Sequence, residues 1–222
     1  MVRFSDVTAA YEGADNPVFS HLTFQVPMHG FLYLTGNSGV GKTTVLRLLM
    51  RELKPQSGEI FVNGQEIGRL KRRQIPLYRR QIGLVSQSIE LLEDKTVYEN
   101  VELVKLALGA GKNDIRIQVA MALKFVGMDS FFSRYPGELS GGQRKKVCIA
   151  RAIVNQPDLI LADEPTANLD SDGSLEVMNL FAQLHRRGST VIVATHDLAA
   201  IRPFDYPRLE LYDNGTEDGK HN

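Results

Sequence analysis

The sequence predicts an α/β fold: a parallel-sheet core, an antiparallel β subdomain at the N-terminal end, and a helical subdomain inserted between two core strands. Three observations predict it. A glycine-rich turn, Gly36-Asn37-Ser38-Gly39-Val40-Gly41-Lys42-Thr43-Thr44, lies between an apolar run at residues 31–34 and a helical pattern over 44–53 that carries Val45, Leu46, Leu48 and Leu49. Ahead of that turn, apolar and polar residues alternate as in half-buried antiparallel strands. Beyond Gln87, residues 88–156 change to helical periodicity without a strand-like run, and strand patterns resume at Leu159.

Composition bounds the rest. With 222 residues and 43% hydrophobic content, the chain can bury a large core as one domain with subdomains. Its 26 Lys and Arg balance 26 Asp and Glu, so no bulk field draws it to nucleic acid or to an anionic membrane, and any anion must be held by local geometry. The single cysteine, Cys148, cannot close an internal disulfide and reads as a small buried residue suited to a reducing cytoplasm. Alternation starts at Val2 with no apolar leader, and no stretch approaches the roughly 18 apolar residues of a membrane span. Work at a membrane would need a partner that supplies the span.

Val2 and Phe4 mark a first strand, and Val18, Leu22, Phe24 and Val26 a second, antiparallel to it across a turn at 13–17. Tyr11 falls between them, where an aromatic ring can stack on a nucleobase or simply end a strand. Residues 31–34 then form a buried strand that delivers the glycine turn. Main-chain N–H groups approach phosphate oxygens only where no Cβ intervenes, and the following helix points its positive end at the same charge. Lys42 is placed to reach β and γ phosphates, and the Thr43 hydroxyl to bind Mg²⁺.

After a turn at 55–58, Glu59-Ile60-Phe61-Val62 runs into Asn63-Gly64, the pair preferred by two-residue hairpins, which adds strands to the N-terminal sheet. The basic run Arg69, Lys71, Arg72, Arg73, Arg79 and Arg80, interrupted by Pro76, reads as a solvated face. Ile82-Gly83-Leu84-Val85-Ser86 is a short buried strand ending at Gln87. An amide at the carboxyl end of a central strand is a candidate for metal or water contact.

The insertion, 88–156, carries Val97, Val101, Val104 and Leu108, then Ile115, Val119, Ala122, Leu123 and Val126, in helical phase. It leaves 1–87 and 157–222 as the nucleotide-binding core, with hinges near Gln87 and Pro157. Within it, Ser140, Gly141, Gly142 and Gln143 open another helix. Small residues at a helix N-terminus can receive a second anion or form a plain serine cap. Leu159-Ile160-Leu161-Ala162 is a buried parallel strand that delivers Asp163 and Glu164 at its carboxyl end. Adjacent strand residues face opposite sides, so Asp163 suits Mg²⁺ and Glu164 suits a general base for an attacking water. A helix follows from Ser171 to about Arg187, and a last central strand, Thr190-Val191-Ile192-Val193-Ala194, ends near His196, within reach of a γ-phosphate. Residues 209–212 suggest a closing strand, and 213–222 a polar, frayed tail.

The ordered set Tyr11, Gly36 to Thr44, Gln87, Leu139 to Gln143, Leu159 to Glu164, Asn168 to Asp170 and His196 resembles the ATP-binding cassette (ABC) ATPase family over nearly the whole chain. The resemblance implies a P-loop NTPase core of the ABC nucleotide-binding type that binds ATP with Mg²⁺ and hydrolyses it. It implies that Tyr11 stacks adenine, that Gln87 is the Q-loop glutamine, catalytic and metal-contacting, and that Ser140 to Gln143 belong to the signature motif. Asp170 falls in the D-loop, and Lys42, Glu164 and His196 are catalytic. In this family two cassettes face head to tail, each signature closing over the ATP on the other's P-loop, so the chain is expected to pair, most simply as a homodimer in the ATP-bound state.

Within the family the chain is most similar to the cell-division branch, the FtsE-like ATP-binding proteins. The supporting stretches are 70–83, 91–101 and 161–170, the last shared with neighbouring branches. Ser86-Gln87-Ser88 stands where Phe-Gln-Asp is more usual, and Arg144-Lys145-Lys146 follows the signature where glutamines and an arginine are common. The resemblance implies an integral membrane partner of the FtsX-like permease type, location on the inner face of the cell membrane, and ATP-driven switching of cell-wall hydrolases in division, with cytoskeletal division proteins as further partners. Two other readings stand beside it: the ATPase of a lipoprotein-releasing or macrolide-exporting system, which shares the 161–170 stretch, and an ATP-gated division scaffold with little turnover. A nucleic-acid role fits poorly with zero net charge.

Overall fold

The computed structural model describes residues 1–212, so the expected frayed tail lies outside the described residues. The chain runs β1 (Val2–Ala9), β2 (Phe19–Val26), β3 (Phe31–Thr35), α1 (Lys42–Leu49), β4 (Ser57–Val62), β5 (Gln65–Glu66), α2 (Ile75–Arg79), β6 (Ile82–Val85), α3 (Val97–Ala107), α4 (Lys112–Phe125), α5 (Gly141–Ile153), β7 (Leu159–Asp163), α6 (Ser171–Arg186), β8 (Thr190–Ala194), α7 (Leu198–Ile201) and β9 (Arg208–Glu210).

Two sheets result. β2-β1-β4-β5 is antiparallel throughout, and β6-β7-β8-β3-β9 is parallel throughout. The β4–β5 hairpin turns on Asn63 and Gly64, at φ 52° and 76°. Both occupy the left-handed region that a two-residue turn matching the strand twist requires.

Each core strand is apolar on both faces because both faces are covered. Leu32, Leu34, Leu159, Leu161, Ile192 and Ala194 pack toward α1 and the antiparallel sheet, in one cluster with Phe4, Phe19, Leu22 and Val62. Their strand neighbours Phe31, Tyr33, Ile160, Ala162, Val191 and Val193 pack on the opposite side with α3 to α6. The period of two in a strand thus splits one sheet between two cores.

Two elements depart from the sequence reading. Helix α1 starts at Lys42 and ends at Leu49 rather than running from 44 to 53, because Arg51 turns to φ 56° and the chain leaves the helix axis. β6 is an edge strand, not a central one. The segment between Gln87 and β7 contains the expected helices. Its apolar residues Val97, Val101, Ile115, Val119 and Val147 share one cluster with Ile160 and Val193 of the sheet. Among the described residues, no helix is long and apolar enough to cross a membrane.

Candidate active site

The turn after β3 is built for close approach. Gly41, at the N-cap of α1, has φ 110°, and a Cβ there would lie 2.8 Å from Val18 Cγ1, so only glycine fits. Lys42 begins the helix and is buried; its Nζ donates to Gly36 O at 2.8 Å and Asn37 O at 2.9 Å, curling the loop around the ammonium. Asn37, Ser38 and Gly39 are exposed at the loop tip, whereas the Val40 side chain packs into the core beneath it, leaving only its main chain for a phosphate.

The strand ends bring the other groups to the same place. Asp163 closes β7, and Glu164 leaves the strand at φ 42°, fixed by its N–H donating to Ala194 O at 2.8 Å. A left-handed non-glycine residue costs about 1–2 kcal/mol, and it is this turn, rather than the strand pleat, that aims the carboxylate. Glu164 Oε1 lies 2.8 Å from His196 Nδ1 and 3.7 Å from Lys42 Nζ, and the His196 N–H donates to Glu164 Oε2 at 3.2 Å. The imidazole itself is exposed, with 64% of its surface open above the carboxylate.

Asp163 is buried, and its Oδ1 has no hydrogen-bond partner among the described residues. Burial pushes its carboxyl above the ordinary value; the Thr43 hydroxyl opposes this and the neighbouring Glu164 adds to it. A buried carboxylate oxygen left unpaired beside an exposed Thr43 hydroxyl suits a hard cation that arrives with phosphate oxygens. Among the described residues no group of three or more His, Cys, Asp or Glu is placed to hold a metal ion by itself.

Tyr11 also reaches α1. Its hydroxyl lies 3.0 Å from Thr44 Oγ1, the Arg47 guanidinium sits 5.8 Å from the ring centroid, and 39% of the residue stays exposed at the edge of the loop. Gln87 is exposed two residues beyond β6. Ser140 caps α5: its Oγ accepts from the Gln143 N–H at 3.3 Å while Gln143 Oε1 accepts from the Ser140 N–H at 2.9 Å. Asp170 likewise caps α6 through the Gly173 N–H at 2.8 Å. Among the described residues, no hydrogen bond or ion pair joins Ser140, Gly141, Gly142, Gln143 or Asp170 to the phosphate loop. Lys42, Thr43, Asp163, Glu164 and His196 converge in one copy; the two caps stand apart.

A family model described as "ABC transporter" matches residues 19–167. The chain belongs to the ABC ATPase family. The cassette is 44% identical over 211 residues to "Cell division ATP-binding protein FtsE" of Haemophilus influenzae, covering 95% of this chain and 97% of that one. It is 42% identical over 219 residues to the Escherichia coli K12 protein of the same name, covering 99% and 98%. Among solved structures, it superposes with TM-score 0.87 at 31% identity on the dimeric ATP-binding cassette MJ0796 in a post-hydrolysis state bound to ADP and Pi, covering 99% of this chain and 98% of that one. On cbiO1 from Clostridium perfringens, part of the ABC transporter complex cbiONQ, the TM-score is 0.91 at 27% identity, covering 97% and 86%. The chain is therefore an ATP-binding enzyme that hydrolyses ATP.

One residue beside the ABC site escaped sequence reasoning. Lys145, in the departure from the usual run after the signature, is 0% exposed, and its Nζ donates to Ser86 O and Gln87 O, each at 3.1 Å. The available signal was helical phase: Lys145 lies three and four positions ahead of Cys148 and Ile149, both buried.

Proposed function

We propose that this cassette is the ATPase subunit of a membrane complex in cell division, working as a head-to-tail homodimer on an FtsX-like integral partner and switching cell-wall hydrolases across the membrane. The observation that carries the dimer is the separation of the site into two parts. Gly141 would meet nothing within 4 Å if it bore a Cβ, and Gly142 only Leu169 Cδ2 at 4.0 Å. The chain's own packing therefore does not demand these glycines, whereas a phosphate from a facing copy, approaching the α5 N-terminus, would. The division role and the partner rest on the likeness to proteins named Cell division ATP-binding protein FtsE.

In the proposed reaction, phosphates enter the turn and displace Gly36 O and Asn37 O as acceptors of Lys42 Nζ. Thr43, Asp163 Oδ1 and Gln87 would hold Mg²⁺, which neutralises phosphate charge when bound. Glu164 accepts the proton of the attacking water. His196, hydrogen-bonded to that carboxylate, keeps it oriented and presents its other ring nitrogen toward the γ-phosphate side. Tyr11 offers its exposed ring to adenine. Residues 88–156 would act as the moving subdomain, and the protein would sit peripherally on the inner membrane face through its partner.

The test is purification of the tagged chain from membranes with Glu164→Gln to hold ATP. Co-purification of an integral permease-type protein, lost when ATP is withheld, is expected; no integral protein under either condition would remove the membrane complex.

A further inference from the structure

We propose that Lys145 is a positioning residue for the ATPase reaction: its buried ammonium fixes the main chain at Gln87 and locks the 86–93 segment to helix α5, so that Gln87 and the Ser140 loop move as one unit.

In an extended strand, successive carbonyls point to opposite sides, so Ser86 O and Gln87 O cannot both face one donor unless the chain bends. They converge on Lys145 Nζ, each at 3.1 Å, where β6 gives way to Gln87. An ammonium carries three donors and a full charge on one atom, where an amide nitrogen has two donors without charge and a hydroxyl one, and it sets the direction from which the Gln87 side chain departs. The same charge lies within electrostatic reach of Asp163, the carboxylate with the unpaired Oδ1.

Two more cations of α5 hold the same segment. Arg151 donates to Glu90 O at 2.5 Å, and Arg144 pairs with the Glu93 carboxylate. Contact between helix and strand is close here, since a Cβ on Gly83 would lie 2.6 Å from Ala152 O. Residues 86–93 are thus clasped along one helix whose N-cap is Ser140. A buried charge offers little net stability, so its value lies in fixing a unique geometry.

The proposal rests on the reading that Gln87 contacts the metal or the attacking water, so the test includes Gln87→Ala. Steady-state kinetics with Mg-ATP and amide exchange are measured on the whole chain for Lys145→Met, Lys145→Gln, Lys145→Arg and Gln87→Ala. In Lys145→Met, kcat is expected to fall about tenfold, the loss of a charge-assisted hydrogen-bond pair, with KM for ATP little changed. Exchange at 86–93 quickens while β3 and α1 stay protected. Lys145→Arg recovers part of kcat. Lys145→Gln, which keeps a shorter, uncharged donor and serves if the Met variant does not fold, falls between. The Lys145→Met, Gln87→Ala double variant is no slower than the slower single one. Wild-type kcat in Lys145→Met or Lys145→Gln, with Gln87→Ala impaired, overturns this proposal alone. So does faster exchange spread over the whole sheet, or two effects that multiply. Wild-type kcat in Gln87→Ala removes the reading of Gln87 and this proposal with it.

Discussion

Glu164 and His196 are joined twice, through the imidazole Nδ1 at 2.8 Å and the main-chain N–H at 3.2 Å, so the carboxylate that would activate water is held by a residue from the next strand over. With Lys42 Nζ 3.7 Å away, one carboxylate ties the phosphate loop to the ends of β7 and β8.

Glu164→Gln keeps volume and removes the base. Turnover should fall roughly 10²- to 10⁴-fold, the usual worth of general-base catalysis, which raises the barrier by about 3 to 5 kcal/mol. ATP then persists, and light scattering after size exclusion should find a dimer in Mg-ATP. Adding Ser140→Arg, which sets bulk and charge at the exposed α5 cap, should restore monomers.

Lys42→Ala removes the side-chain cation that, among the described residues, enters the glycine turn, and it also frees Gly36 O and Asn37 O inside the loop. Calorimetry should show ATP affinity down by roughly tenfold or more, since charge-assisted contacts to phosphate are worth about 1.5–3 kcal/mol. Because Val45, Leu46, Leu48 and Leu49 still anchor α1, the melting transition should remain cooperative.

Asp163→Asn tests the unpaired oxygen. Burial raises the Asp163 carboxyl above its ordinary value, so between the unfolded and folded values the native state binds more proton, and stability falls as pH rises through that window. The loss persists at neutral pH. Without nucleotide, the Asn variant should therefore melt no lower than the parent at pH 7, while the extra stabilisation that Mg²⁺ adds to ATP disappears. Equal protection of both proteins by Mg-ATP in a thermal melt would move the metal elsewhere.

A docking surface for the proposed membrane partner would draw on the apolar residues just beyond Gln87, and few of them are exposed. Among Ile89, Leu91, Leu92, Val97 and Tyr98, the structure buries Val97 fully and leaves Leu91 only 7% exposed, while Leu92 is 47% exposed and Tyr98 is half-buried against the core. Leu92→Ala with Tyr98→Ala should weaken partner pull-down by well over tenfold, as interface anchors are often worth about 2 kcal/mol or more. ATP affinity of the isolated chain should stay unchanged. Loss of both would assign Tyr98 to the core.

By itself the sequence determined what is written in short-range pattern: the glycine turn, the strand that feeds it, the acids after Ala162, the hairpin at Asn63-Gly64, and the α5 cap. Each is local because phosphate geometry, turn dihedrals and caps involve residues only a few positions apart. Tertiary structure alone decided what depends on which neighbour covers which face. β6 takes the sheet edge because β7, β8 and β3 fill the middle, Leu91 is buried while Leu92 is not, and Glu164 turns out of its strand because Ala194 O receives its N–H. Lys145 is the sharpest case: lysine is a residue of the solvated surface as a rule, yet α5 closes against β6 and the carbonyls of a bend 58 and 59 residues away supply the partners that let a charge stay buried.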